Sequence, residues 1–433
     1  MTRLAGLAAL ALCACDSGTT GTVVLTLVTS PDSHVLDRVE TMRLTITHPR
    51  QVTLAARTSA GFELALEFDA MAASGAVIVE GLDASGALIA CGQSPAFPVS
   101  AINSKVAVYV APPRSVTVAP AVLDVARSEV AATPLSYGAV IAGGRDLAGA
   151  PSSAIAVYNA YVHTMVSGIP LLAPRAGLAM ATGVDARVYL FGGTGADGNP
   201  TGTLWRFDTT VAPNGAYAQI SDQASFARTG EVMVALGSDQ FLVTGTPALL
   251  GTSTTVAARS DIAGLPPAGA TATQADGTIT SIFAGEQLVR YQAGAFSTLA
   301  GTGRDGASAA ALPDGRIVVV GGGDPASRDL LAIDASGQVT TIPGALVTAR
   351  TRPSVIATQR HLVIAGGSDA TGAPIATAEI LDAATLAPIA TLPILARTGA
   401  AAIALPTDQV LLVGGTPASA QLELFTPEPP PAP

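Results

Sequence analysis

The chain has 433 residues, 49% of them apolar and 12% charged, and carries a net charge of −10. Such a length is ample for burying a sizeable core. An acidic chain with one lysine, Lys105, and no basic run has no electrostatic footprint for DNA or RNA.

The first element is a leader. Arg3 precedes the apolar run Leu4 to Ala14, eleven residues against the roughly twenty needed to span a bilayer, so residues 1–15 read as an export signal. Its end, Leu12-Cys13-Ala14-Cys15 followed by Asp16-Ser17-Gly18, resembles the lipobox of bacterial lipoproteins. That resemblance implies cleavage before Cys15, a lipid on Cys15, and attachment to the cell envelope through lipid alone. Cys91 would then be the one cysteine besides the lipidated one, so the expected fold relies on its core and not on an internal disulfide.

Residues 16–112 carry short apolar runs separated by turn residues: Val23 to Val28, Met42 to Thr47, Phe62 to Leu66, Ala76 to Glu80, Ala87 to Cys91 and Val106 to Val110. Asp83-Ala84-Ser85-Gly86 predicts a hairpin turn, and Pro112-Pro113 a boundary. Six or seven strands of this length predict an immunoglobulin-like β-sandwich, with a stalk as its plainest role.

From residue 113 the chain repeats at about forty-five residues. Apolar runs end in paired glycines at Gly143-Gly144, Gly192-Gly193, Gly321-Gly322, Gly366-Gly367 and Gly414-Gly415, with worn copies at Gly245-Thr246 and Ala284-Gly285. An arginine stands sixteen or seventeen residues before the first glycine in six of these seven units: Arg127, Arg175, Arg228, Arg304, Arg350 and Arg397; the fourth has Ala268. Each unit predicts a hairpin, a variable loop, a third strand such as Leu204-Trp205-Arg206-Phe207-Asp208, and a fourth strand before the next arginine. These features resemble the kelch repeat over residues 114 to 427. The resemblance implies an all-β chain in which a seven-bladed kelch-like β-propeller, residues 113–427, follows the sandwich. Val116 to Pro120 stands before Arg127 as Val339 to Pro343 stands before Arg350, while the last unit stops at a third strand, Leu422 to Phe425, so the two fragments are expected to complete one blade. Residues 428–433 read as a disordered proline-rich tail.

Catalytic chemistry has few candidates. His34, His48, His163 and His361 share no metal-ligand spacing, and His361 reads as a polar residue at the start of a buried strand. The copper site of galactose oxidase, a kelch-type propeller, needs a cysteine that residues 113–427 lack. Phosphate-loop glycines and a nucleophile elbow are missing as well. No catalytic residue, metal or cofactor is assigned. Two uses remain for the six arginines: converging on one face to bind an anionic group, or each bonding carbonyls and carboxylates within the wall. Asp146, Asp197, Asp324 and Asp369, in loops after the glycines, read first as turn formers. The sequence thus predicts a lipid-anchored, non-catalytic binding or scaffold module for a protein or glycan ligand, with Arg127, Arg175, Arg228, Arg304, Arg350 and Arg397 as candidate ligand residues and Cys15 as lipid site. A carbohydrate-active enzyme of the sugar-acid epimerase or hydrolase type is the alternative.

Overall fold

The computed structural model describes residues 20–430, apart from positions 49, 60, 63, 70–73, 99–103, 213, 237–239, 260–269, 274–278, 285–286, 293–294 and 300–303. The leader with Cys13 and Cys15, Ala268 and Gly285 lie outside the described residues.

In Thr41–Thr47 every second residue is buried: Met42, Leu44 and Ile46 face inward between half-buried Thr41, Arg43, Thr45 and Thr47, as a strand with one face on a core requires. It is the second strand of an antiparallel sheet ordered Arg50–Ala56, Thr41–Thr47, Val77–Leu82, Leu88–Gln93. A three-stranded sheet, ordered Ala65–Asp69, Thr20–Val28, Ser104–Tyr109, covers the same core, and its Thr20–Val28 and Ser104–Tyr109 run parallel. The expected turn is present: Asp83 Oδ1 accepts hydrogen bonds from the Ser85 N–H at 2.8 Å and the Ala87 N–H at 2.9 Å. Two strands differ from expectation. The one expected at Phe62 to Leu66 runs instead over Ala65–Asp69, and Arg50–Ala56 is additional. Arg50–Ala56 is an edge strand whose Val52 and Leu54 point to solvent, so no buried run marks it in the sequence.

Seven further antiparallel sheets of four strands follow, six of them with strands in chain order. Unit one comprises Ala131–Leu135, Gly138–Ala142, Ile155–Asn159 and Thr164–Ser167; unit six comprises Ser354–Ala357, His361–Ala365, Thr377–Asp382 and Pro388–Pro393. The worn units three and four still make four strands each, beginning at Met233–Ala235 and Ala270–Thr273. In unit seven, Ala401–Ala404, Val410–Val413 and Ser419–Thr426 are completed by Ser115–Arg127 from the other end of the repeat region. Val116 faces Phe425 and Thr117 faces Leu424 in antiparallel register, the pairing that the matched spacings predict.

Second strands are the centre of the packing. Val188–Phe191, Ile317–Gly321, His361–Ala365 and Val410–Val413 are buried at every position, because both faces of each sheet are covered by neighbours. Val318 and Leu330 of unit five meet Leu362 and Ile364 of unit six; Val363 and Ile380 of unit six meet Val410 and Leu412 of unit seven; Leu411 and Leu424 of unit seven meet Ala139 and Ile141 of unit one. At about 1.5–3 kcal/mol for each large aliphatic side chain buried, these shared faces are the main source of cohesion between units. First strands also touch one another, from unit four through five, six and seven to one, two and three.

The two N-terminal sheets are bonded to the repeats. Tyr109 donates its hydroxyl to the Val118 carbonyl at 2.9 Å, and the Tyr161 hydroxyl of unit one donates to the Ala96 carbonyl at 2.7 Å. Of the expected tail, residues 428–430 are described and 431–433 lie outside the described residues. Glu428 pairs with Arg114 at 2.9 Å, and Arg360 donates to the Glu428 and Pro429 carbonyls, which fixes residues 428–430 against the repeats.

Candidate functional site

The six arginines do not converge on either of the two large recesses. Arg127, Arg175, Arg350 and Arg397 are buried, and Arg228 and Arg304 partly so. Nη1 donates to the carbonyl of the first glycine of the same unit in Arg127 (Gly143, 2.7 Å), Arg350 (Gly366, 2.8 Å) and Arg397 (Gly414, 3.1 Å). In Arg228 it donates to Thr244, just before Gly245, at 2.9 Å, and in Arg304 to Asp329 at 2.9 Å. The second glycine completes a clamp, since its N–H donates to the carbonyl of the next unit's arginine: Gly144 to Arg175 at 2.8 Å, and Gly193 to Arg228, Gly322 to Arg350 and Gly367 to Arg397, each at 2.9 Å. A side chain is excluded at the first glycine. A Cβ on Gly143 would lie 2.5 Å from the Arg175 carbonyl oxygen, and the φ of +62° is itself unfavourable to other residues.

Burial pulls the pKa of Arg127, Arg175, Arg228, Arg350 and Arg397 below the ordinary arginine value. Their charges are answered differently. Arg350 binds Glu379, whose carboxylate also accepts the Val347 N–H at 2.7 Å and the Thr348 N–H at 3.0 Å. Arg397 binds Glu423 at 2.7 Å, and burial raises the pKa of Glu423. Arg175 lies over the ring of Trp205, 4.7 Å from its centre. Arg127 reaches the half-exposed Asp124 at 3.4 Å. These guanidinium groups bond carbonyls and carboxylates of the repeats, while the Nε atoms of Arg127, Arg175 and Arg397 are buried without a partner among the described residues.

The loop aspartates form turns. Asp146 Oδ1 accepts from the N–H groups of Ala148 and Ala150, both at 2.9 Å, and Asp369 Oδ1 from Thr371 at 2.8 Å and Ala373 at 3.0 Å.

A site the arginine periodicity did not indicate lies two residues further along each first strand's approach. Here the starts of units one, two, three, five, six and seven enclose a recess of about 700 Å³. None of the six arginines lines it. Its rim is the residue two after each arginine, and that residue has positive φ in all six units that carry the arginine: Glu129 (50°), Gly177 (59°), Gly230 (74°), Gly306 (67°), Arg352 (48°) and Gly399 (63°). Four are glycine. At Glu129 and Arg352 the left-handed conformation costs about 1–2 kcal/mol, and both side chains line the recess. Glu129 accepts from Arg145 Nε at 2.9 Å, while the exposed Arg352 guanidinium has no partner among the described residues. Glu231, which accepts the Thr244 hydroxyl at 2.6 Å, and Asp305 add negative charge. The sequence signal for this rim was the recurring Arg-x-Gly, broken only at Glu129 and Arg352 among these six.

A second recess, about 620 Å³, sits at the opposite ends of the first strands of units five, six and seven, between Leu312, Gln359, Pro406 and Asp408, and is bordered by Gln93 of the strand Leu88–Gln93 and by Pro430. Arg360 stands in it, 3.8 Å from Asp408 and bonded to the chain end. Cys91 is buried nearby, its thiol pushed up to about 12 by burial and directed at the Pro427 carbonyl at 3.3 Å. A thiol so held is a packing group.

Of the histidines, His361 begins the buried strand His361–Ala365, edge-on to Phe425. His163 is the more informative. It sits in the turn between the last two strands of unit one with φ of 52°, is buried, and joins the two parts of the chain: its Nε2 accepts the Tyr109 N–H at 3.1 Å and its Nδ1 lies 2.9 Å from the Tyr158 hydroxyl. Accepting at Nε2 makes Nδ1 the protonated nitrogen of a neutral ring, and burial lowers its pKa to about 4. No family model matches the chain, and no curated protein matches it.

Proposed function

We propose that the seven units close into a seven-bladed, kelch-like β-propeller on an immunoglobulin-like sandwich, and that the exported chain, lipid-anchored at Cys15, is a non-catalytic binding module for a protein or glycan ligand. Ring closure is supported by the pairing of Ser115–Arg127 with Ser419–Thr426 and by the contact of the first strands of units seven and one. The sandwich is supported by two sheets on one core with its first and last strands parallel. The observation that carries the function is the recess of about 700 Å³ walled by six units at once, with charged side chains set into an otherwise glycine rim. Concave sites of that size are where proteins take small ligands or the tip of a partner. Glu129 and Glu231 already hold donors from Arg145 and Thr244, an arrangement that favours recognition over proton transfer. Probing glycan and peptide arrays with the protein and with Ala400→Trp, which fills the recess, tests this. Loss of the captured ligand by a variant of unchanged melting temperature is expected; capture indifferent to Ala400→Trp would refute the site.

A further inference from the structure

Around the rim of the recess, backbone groups of successive units are joined: the Gly177 N–H donates to the Glu129 carbonyl at 3.2 Å, Gly230 to Gly177 at 2.8 Å, and Arg352 to Gly306. Among the described residues no such bond joins Gly230 to Gly306, and none reaches unit seven from either side. Neither the N–H nor the carbonyl of Gly399 has a partner among the described residues, and no atom lies within 4 Å of where its Cβ would be. Gly399 is flanked along the rim by the two exceptions to glycine, Arg352 of unit six and Glu129 of unit one. One unpaired backbone donor and acceptor, open space above them, and a cation and an anion on either side therefore occur together. An extended peptide matches all of these, because its main chain offers the complementary acceptor and donor while side chains of opposite sign reach to the two flanks.

We propose that Arg352 and Glu129 are the specificity-determining pair of the recess, and that they receive an extended peptide carrying one acidic and one basic side chain, seated across Gly399; this rests on the recess being the binding site. Arg145 holds the Glu129 carboxylate in place, and the free Arg352 guanidinium is the forked donor suited to a carboxylate. Asp305 and Glu231, on the far part of the wall, disfavour a purely acidic peptide. Glycine at either position relieves the left-handed backbone, so Glu129→Gly and Arg352→Gly should melt no lower than the parent protein.

The experiment is fluorescence anisotropy on the full protein with dye-labelled octapeptides of glycine and serine bearing one arginine and one glutamate two to four residues apart, beside matched peptides lacking either or both charges. At least one mixed peptide should bind tenfold or more tighter than the neutral one. Arg352→Gly should erase the advantage of the glutamate, and Glu129→Gly that of the arginine, each without affecting the other. Equal binding of mixed and neutral peptides, no binding at millimolar concentration, or full competition by free arginine and glutamate would overturn the proposal. If an array ligand is lost with Ala400→Trp yet indifferent to both glycine variants, the recess stands as the site and the pair does not; if Ala400→Trp itself changes nothing, the wider reading fails.

Discussion

Acid should loosen the junction between the two N-terminal sheets and the repeats before it damages either. His163 is 2% exposed and contributes an acceptor to the Tyr109 N–H, so protonation at Nε2 removes that bond and leaves an imidazolium in an apolar pocket. Its pKa is about 4 in the fold against 6.5 for a free imidazole. Between those values the unfolded chain binds the extra proton and the folded chain does not. This stabilisation is therefore whole above pH 6.5 and is lost as the pH falls toward 4. A displacement of that size corresponds to about 3 kcal/mol. Tyr109 and Tyr158, which face the ring, have raised pKa values and stay neutral in this window. His361 is lowered too and adds a change of the same sign, whereas the raised Asp408 and Glu423 contribute in the opposite sense. A comparison of variants removes these shared terms. In His163→Gln the carboxamide supplies an acceptor and a donor but does not titrate, so the unfolding free energy of the parent, from urea titration, should fall between pH 7 and 4 by more than that of the variant, the difference approaching about 3 kcal/mol. Parallel profiles for the two proteins would refute the assignment of the neutral, accepting ring.

Arg397→Ala leaves the Glu423 carboxylate buried without its cation and should destabilise by about 3–5 kcal/mol, whereas Arg304→Ala removes one bond from a partly exposed group and should cost about 1 kcal/mol; urea titrations compare them. Gly143→Ala puts a methyl group against the Arg175 carbonyl at positive φ and should cost more than about 2 kcal/mol, read as a lowered melting temperature. If the proposed anchor is correct, Cys15→Ser moves the protein from the membrane to the soluble fraction of a Gram-negative host, and an unchanged membrane fraction refutes it.

Strand positions in the repeats were legible because the second strands are buried on both faces and stop at glycines, leaving an apolar run with a fixed end. The pairing of Ser115–Arg127 with Ser419–Thr426 was legible for a related reason: Val116 and Val339 stand at matched distances from their arginines. The direction of each guanidinium was not. It depends on what the third strand places opposite, Glu379, Glu423 or Trp205, and loops of unequal length separate those residues from the glycines, so no constant spacing exposes them. His163 left no trace at all, since it is not periodic and its decisive partner, Tyr109, is 54 residues earlier in another sheet.

The constant interval between arginine and glycine now has a physical cause. A guanidinium at the entry of a unit bonds the carbonyl where the second strand ends, so the arm of the hairpin between them has to keep one length, sixteen residues in Arg127 to Gly143 and in Arg350 to Gly366, seventeen in Arg397 to Gly414. The following glycine amide then holds the arginine carbonyl of the next unit, which ties the register inside one sheet to the placement of its neighbour. Loops beyond the glycines are under no such constraint and vary. A buried Arg–Glu pair adds little net stability over an apolar replacement, because desolvation offsets most of the attraction. Units six and seven use such a pair while unit one makes the same arginine-to-glycine-carbonyl bond without a buried carboxylate, so that bond and not the ion pair is what these three share; in unit two Arg175 donates instead to the Pro174 carbonyl and lies over an indole face. The same logic separates the rim from the wall: positions that serve the clamp keep their residue in the five units with paired glycines, and Glu129 and Arg352, which abandon the glycine their backbone favours within those five, are where a demand other than folding is to be sought.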